Sequence, residues 1–187
     1  MGDAFYGFAD AFDKLQPNMI MVLGDRYEIL PPVMAANIAN IPVAHIHGGE
    51  VTEGAVDDAF RHAVTKLSHL HFVAAPEYRE RVIQLGEDPT RVILAGGLGV
   101  DAIKRIQLLG KHEVEASLGF EFAEKSLLIT FHPVTLEPEE SIKQMTALLD
   151  VLSELHDVQL IFTAPNADVG GRAISDVINA FVAENDK

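Results

Sequence analysis

The sequence predicts an α/β fold with Rossmann-like parallel sheets. Two observations lead to this prediction: short apolar runs alternate with helical patterns along the chain, and runs such as 19–23 (MIMVL) are apolar at every position. A continuous apolar run is typical of a parallel strand buried on both faces, and parallel strands need a helix between them. We therefore predict repeated strand–helix units, with ligands bound beyond the carboxyl ends of the strands.

The helices and strands are predicted from the spacing of hydrophobic residues and from the turn-forming residues between them. The first helix, 4–15, places Phe5, Phe8, Phe12 and Leu15 on one face. The later helices are expected from after Tyr27 to about 40, after Asp57, and at 77–85, 100–109, 111–118, 138–155 and 169–183. The strands are expected at 19–23, 41–47, 71–74, 91–95, 126–131 and 158–163.

Two helices carry additional local signals. Pro31 and Pro32 are tolerable only near the first turn of the helix that precedes residue 41. In the helix after Asp57, a core stripe is predicted, made of Phe60, Ala63, Val64 and Leu67. Asp57, Arg61 and Thr65 share another face of that helix, as do Asp58 and His62.

The chain is predicted to hold parts of two domains. Residues 1–97 would belong to a first Rossmann-like domain and residues 126–187 to the start of a second. The glycine-rich stretch that begins at Gly96 opens a hinge with short helices, 98–125.

Composition limits the possible partners. A formal charge of −14 argues against a nucleic-acid or membrane-surface partner, either of which favours a basic face. The absence of cysteine excludes disulfides and thiolate chemistry. No apolar run approaches the roughly 18 residues of a membrane span, and the N-terminus does not resemble a signal peptide. A cytoplasmic enzyme is the expectation.

Polar side chains follow four predicted strands and open one predicted helix. The strand exits carry Asp25-Arg26, His47 with Glu50, His132, and Asn166 with Asp168; the helix opens with Asp57 and Asp58 and carries Arg61 and His62. Any one of these residues has a structural explanation, and for Asp168 a helix N-cap is an equal alternative. Four polar exits at the carboxyl ends of strands together favour an active-site wall.

Two other motifs suggest different kinds of site. The pairs His45-x-His47 and His69-x-His71 put two imidazoles on one side of a strand, as a metallohydrolase would need, but no carboxylate ligand pattern accompanies them. Gly97-x-Gly99, followed by Ala102, is a degenerate form of the dinucleotide-binding fingerprint. The acidic residue that should end the next strand, about 20 residues further on, is not found. We therefore expect no metal and no cofactor.

Six motifs follow one another along the whole chain: GDRYE at 24–28, HIHGGE at 45–50, DDAFRHAVTKLSHLHF at 57–72, RVIQLGE at 81–87, HPVT at 132–135 and PNADVGG at 165–171. Together they resemble the hydrolysing UDP-N-acetylglucosamine 2-epimerases of sialic-acid-type biosynthesis. The resemblance implies a glycosyltransferase-B-type fold of two Rossmann-like halves with a UDP-sugar between them. It also implies loss of UDP by elimination to a glycal, followed by addition of water with inversion at C2.

The resemblance assigns roles to individual residues. As catalytic residues it implies Asp25, Arg26, His47, Asp57 and Asp58, with the register between the last two open; as substrate-binding residues we add Glu50, Arg61, His62, His132 and Asn166. Position 47 departs from relatives that have HIEGG, which leaves the role of His47 open.

The resemblance also bears on length and assembly. Members of this family have a strand and an Arg-bearing loop before the region matched by residue 1, and a UDP-binding segment after the region matched by residue 187. We therefore expect the chain to be the central portion of an epimerase, and a catalytically silent fragment is the alternative reading. A homodimer is expected, because relatives often pair through helices of the first domain.

Overall fold

The structure is a computed structural model that describes residues 1–133, 138–166 and 170–185. The chain divides into two compact units, Met1–Ile106 and Gln107–Lys187. Both are α/β with parallel strands, which confirms the predicted fold class. The finer division at residues 97 and 125 stays a prediction.

The first unit is a four-stranded parallel sheet with helices between the strands. The strands are β1 (Ile20–Leu23), β2 (Val43–Ile46), β3 (Leu70–Val73) and β4 (Val92–Leu94), in that spatial order. The helices are α1 (Gly2–Leu15), α2 (Leu30–Ile38), α3 (Asp57–Lys66), α4 (Pro76–Gln84) and α5 (Leu98–Arg105). Because neighbouring strands are parallel and in sequence order, their carboxyl ends lie along one edge.

The second unit has a two-stranded parallel sheet. Its elements are α6 (Lys111–Leu118), β5 (Ser126–Ile129), α7 (Pro138–Ser153), β6 (Gln159–Phe162) and α8 (Gly171–Glu184). Met145 and Ile174 are fully buried where α7 packs on α8. This unit therefore has an apolar core of its own.

The core of the first unit forms where α1, α2 and α3 meet the sheet. Phe12, Val33, Val43 and Val64 are buried there together. Pro31 and Pro32 occupy the first turn of α2, as predicted, because the backbone nitrogens of the first turn need no hydrogen to donate within the helix. Both prolines are buried. A second cluster of Val73, Val82 and Val92 fixes α4 to the sheet.

One sequence-based expectation is wrong: β1 is not buried on both faces, because the face that carries Met21 and Leu23 is uncovered and these side chains are 60% and 54% exposed. On α3, Val64 of the predicted core stripe is buried and Leu67 packs against the same cluster. Arg61 and Thr65, from the face predicted to be polar, are buried as well. The polar face of α3 therefore packs into the protein, a result that decides the geometry of the site.

Candidate active site

Asp25 stands at the carboxyl end of β1. The chain turns at Gly24, whose φ of +86° favours glycine and whose N–H donates to the Ile46 carbonyl at 3.0 Å. This contact extends the β1–β2 ladder by one residue. The turn then presents the half-buried Asp25 carboxylate at the strand-end edge.

Arg61 donates hydrogen bonds to two acids at this edge. Its side chain is only 4% exposed, and its guanidinium donates to Asp25 Oδ2, to Asp58 Oδ1 at 3.0 Å and to Thr52 Oγ1 at 2.9 Å. A buried guanidinium is stable only when its donors are paired, and here two carboxylates supply that pairing. The result is a fixed arrangement of two carboxylates around one cation.

Asp58 contacts Arg61 directly, three residues before it on α3. It also accepts from the Thr52 backbone N–H at 3.1 Å and lies 3.5 Å from His62 Nε2. Asp57 is half-buried in the first turn of α3. Both aspartates therefore lie at the start of α3, and the register between them stays open.

His47 and Glu50 form a second pair on the same edge. His47 follows β2, its φ is +65°, and its backbone N–H donates to the Phe72 carbonyl at 2.9 Å. Its Nδ1 lies 2.5 Å from Glu50 Oε1. Both side chains are about a quarter to a third exposed. The pair is therefore both ordered and accessible.

His45 links three elements beneath this edge. The imidazole is fully buried, with Nε2 2.8 Å from the Gly24 carbonyl and Nδ1 3.1 Å from Thr65 Oγ1. Burial lowers its pKa to about 4, although the Gly24 carbonyl acts in the opposite direction. A neutral imidazole that donates from Nε2 to the Gly24 carbonyl keeps Nδ1 unprotonated, within hydrogen-bond distance of the Thr65 hydroxyl. His45 thereby ties the Asp25 turn to the helix that carries Arg61.

Arg26 lies next to this group and is paired locally. Its guanidinium donates to Glu28 at 3.2 Å, and it lies 5.9 Å from the centre of the Tyr27 ring. The side chain is 44% exposed. Its predicted catalytic role stays a prediction.

The second unit holds the other predicted pair. The Asn166 backbone N–H donates to His132 Nδ1 at 3.1 Å, which brings the exits of β5 and β6 together. Because Nδ1 accepts, the neutral imidazole carries its proton on Nε2, where it can donate to an anion. Asp168, the predicted cap or ligand, lies outside the described residues.

The histidine pairs with metal-ligand spacing have other contacts. His69 Nδ1 accepts from the Val43 N–H at 3.3 Å, and His71 Nε2 lies 3.2 Å from Glu87. Burial lowers the pKa of His71. In the ranges 1–133, 138–166 and 170–185, no three ligand-type side chains form a group suited to a metal ion.

Three residues at or beneath this edge were not singled out as site residues from the sequence. Thr52 and Thr65 bond to the Arg61 side chain and backbone, and Arg81 donates to the Gly49 carbonyl. Of the three, only Thr65 is indicated by the sequence pattern, because it follows Arg61 by one helical turn and shares its face of the helix. Thr52 lies in a loop, and Arg81 is 32 positions from its partner.

Carboxylates, an imidazole and a buried arginine lie at the carboxyl edge of a Rossmann-like sheet, an arrangement that suits acid–base chemistry on a bound ligand. Comparison with known proteins gives the family. The family model described as UDP-N-acetylglucosamine 2-epimerase matches residues 1–185, and the chain belongs to that family.

Curated relatives agree with this membership. The chain is 40% identical over 185 residues to the GDP/UDP-N,N'-diacetylbacillosamine 2-epimerase (hydrolyzing) of Campylobacter jejuni, covering 99% of the chain and 48% of the relative. It is 39% identical to the polysialic acid biosynthesis protein P7 of Escherichia coli, covering 95% and 45%. It is 34% identical to the UDP-N,N'-diacetylbacillosamine 2-epimerase (hydrolyzing) of Legionella pneumophila, covering 100% and 49%. The chain thus spans about half the length of these relatives.

Solved structures support the fold. The Staphylococcus aureus MnaA–UDP complex matches with a TM-score of 0.76 at 19% identity, over 99% of this chain and 49% of that one. The Neisseria meningitidis UDP-GlcNAc 2-epimerase bound to UDP-GlcNAc matches with a TM-score of 0.70 at 19% identity, over 91% and 55%. Among the residues that the structure describes, no helix is long and apolar enough to cross a membrane.

Proposed function

We propose that this chain carries the acid–base wall of a hydrolysing UDP-sugar 2-epimerase. The observation that carries the proposal is the Arg61 group, in which one buried guanidinium holds the Asp25 and Asp58 carboxylates at the strand-end edge. Removing a carbon-bound proton requires a positioned base, and a shared cation fixes the position of both acids.

The proposed reaction has two stages. A base at this edge, for which Asp25 is the candidate, removes the proton at C2 while the C1–O bond breaks and its electron pair leaves with UDP. The electrons of the C2–H bond form the C1=C2 bond of a glycal. Water then adds at C1, and an acid delivers a proton to C2 on the opposite face, so that C2 is inverted.

Other predicted residues at this edge have parts in this scheme. His47 and one of Asp57 and Asp58 are candidates for the second acid–base step, and Glu50, Arg61 and His62 for substrate contacts or for holding the acids. The second unit, taken by itself, offers the Nε2–H of His132 as a donor to an anion such as a diphosphate, and Asn166 stays a candidate for a sugar contact.

The substrate class follows from the relatives' names. Two relatives at 40% and 34% identity are named for N,N'-diacetylbacillosamine epimerisation, which supports a UDP-linked 2-acetamido sugar. Both UDP-N,N'-diacetylbacillosamine and UDP-N-acetylglucosamine are therefore test substrates. Formation of N-acetylmannosamine is the expected outcome with the second of these.

A catalytically silent chain is the second candidate. It is favoured by one observation: the chain spans about half the length of its curated relatives. Such a chain would keep the Arg61 group and bind nucleotide weakly or not at all.

The test is incubation of the 187-residue chain with each UDP-sugar in D2O, with the full-length C. jejuni relative as the positive control. Free UDP and the product's proton NMR spectrum are recorded. The epimerase proposal expects UDP release with deuterium at C2 of an inverted sugar. UDP release with protium retained at C2 contradicts the elimination route, and no UDP release above background, with an active control, favours the silent chain.

A further inference from the structure

The turn that carries His47 and Glu50 has an unusual backbone. Residues 47–50 (HGGE) include two left-handed residues, His47 at φ +65° and Gly49 at φ +81°. A left-handed conformation is uncommon for a residue with a side chain, and it persists only where the surroundings impose it. The conformation of this turn is therefore held from outside, and its supports can be named.

One support lies beneath the turn. A Cβ atom on Gly48 would lie 3.0 Å from Thr65 Oγ1 and 3.1 Å from His45 Nδ1. The backbone therefore sits directly on these two buried side chains. This packing limits how closely the turn can approach the sheet. It is a steric contact with the Gly48 backbone and does not involve the Gly49 carbonyl.

The other support is helix α4. A Cβ atom on Gly49 would collide with the Tyr78 carbonyl oxygen and lie 2.8 Å from Val82 Cγ2. From the next turn of α4, the Arg81 guanidinium donates to the Gly49 carbonyl. The same guanidinium lies 5.8 Å from the centre of the Tyr78 ring, which orients it.

We propose that Arg81 is a positioning residue that holds the His47–Glu50 pair in its acid–base geometry. The bond to the Gly49 carbonyl fixes the peptide that leads directly into Glu50. Glu50 then accepts a hydrogen bond from His47 Nδ1 at a separation of 2.5 Å. A carboxylate only accepts, so neutral His47 keeps its proton on Nδ1 and leaves Nε2 as the free base.

Any role of His47 Nε2 in turnover rests on the proposed function. The assignment of the His47 proton to Nδ1 rests only on the contact with Glu50. Arg81 is not itself a catalytic residue, because it acts through the turn. Arg79 provides a matched control: it lies on the same helix, is also half-buried, and donates to the Val92 and Pro89 carbonyls at 3.1 and 3.0 Å. Replacing it removes an equivalent arginine–carbonyl contact at a different place.

The test is ¹⁵N NMR of the imidazole side chains in the 187-residue chain, with His47→Gln used to assign the signal. Spectra are taken about two pH units above the ordinary histidine pKa of about 6.5, where neutral imidazole dominates. The wild-type chain and Arg79→Gln are expected to show the Nδ1–H tautomer at His47. Arg81→Gln is expected to shift His47 towards the Nε2–H form, and Arg81→Lys, which keeps a cationic donor, to restore part of the wild-type signal.

The outcomes separate this proposal from the proposed function. If Arg81→Gln keeps the wild-type tautomer, or if Arg79→Gln changes it equally, Arg81 is not the positioning residue. If the tautomer responds as expected but the chain releases no UDP, the positioning role stands and the activity proposal fails. Where UDP is released, Arg81→Gln should lower kcat about 10- to 100-fold with a smaller change in KM; a change in KM alone contradicts the proposal.

Discussion

Arg61 fixes the positions of two acids of the candidate site, because its side chain is buried and donates to both. Its bonds to Asp25 and Asp58 join residues from the end of β1 and the first turn of α3. Removing one partner of a buried ionic group leaves the other uncompensated. The two acids are therefore not independent, and substitutions must keep the shape and hydrogen bonding of the group.

Asp25→Asn changes a base into a neutral amide of the same shape. In a protein that releases UDP, we expect kcat to fall by about 10²- to 10⁴-fold, the usual contribution of a general acid or base. UDP binding should stay close to wild type, because Asp58 still pairs with Arg61. Turnover and UDP affinity are measured side by side, with the exposed Asp101→Asn as control; unchanged turnover removes Asp25 from the mechanism.

His45 predicts a specific dependence of stability on pH. Its folded pKa of about 4 lies below the unfolded value, so between pH 6.5 and about 4 the unfolded chain binds a proton that the folded chain does not. The stabilisation is complete above pH 6.5 and declines as pH falls, by about 2 kcal/mol at pH 5. Above pH 7 this residue causes no further change.

His45→Gln tests this dependence because the amide can still donate to the Gly24 carbonyl without titrating. We expect the free energy of unfolding to drop less between about pH 7.5 and about pH 5 in the variant, by about 2 kcal/mol. His156→Gln, at an exposed position, should behave like the wild type. Equal drops in the wild type and His45→Gln would show that His45 does not titrate as its burial predicts.

At the scale of elements, the contact between the 47–50 turn and α4 depends on glycine. Gly49 and Gly96 both have positive φ, at +81° and +84°, but only Gly49 faces backbone at collision distance, and Gly96 faces open space. The two positions therefore separate backbone strain from steric overlap.

Gly96→Ala should cost about 1 to 2 kcal/mol of unfolding free energy, from the left-handed backbone alone. Gly49→Ala should cost at least about 2 kcal/mol more, because the turn must move away from the Tyr78 carbonyl. Urea denaturation of both variants measures the difference. Equal costs would mean that the turn and α4 are not in close contact in solution.

At the scale of the whole molecule, each unit has its own core and its own exposed apolar surface. In the first unit the exposed side chains include Tyr6 and Leu15 on α1 and Ile38 on α2, at 73%, 75% and 72%. Surface of this kind favours association, which agrees with the homodimer expected from the resemblance. Assembly and a cytoplasmic location stay predictions.

Self-association has a direct test in sedimentation velocity. We expect the wild-type chain to dimerise through its first-unit helices and Ile38→Glu to weaken the dimer at least tenfold, because a charge at this exposed apolar position of α2 must be desolvated on pairing. Leu108→Glu replaces an equally exposed side chain outside these helices and should have no effect. A monodisperse wild-type monomer would contradict the expectation.

The sequence by itself determined the alternation of strands and helices, the parallel sheets and the family. It identified Asp25, His47, His132 and Asn166 at strand ends, and Arg61 on the helix that follows, because residue type and position within an element are local properties. The apolar pattern of 19–23 wrongly predicted that β1 is buried on both faces. A run of hydrophobic residues does not show whether a strand lies at the edge of its sheet or which of its faces is covered.

Only the tertiary structure decided which of these residues meet. The Asp25–Arg61 pair spans 36 positions and the Gly49–Arg81 contact spans 32. Periodicity shows which residues share a face of one element, but partners on different elements depend on strand order, helix packing and loop conformation. That is why the sequence placed Arg61 near the site, and only the fold made it the buried cation on which two acids converge.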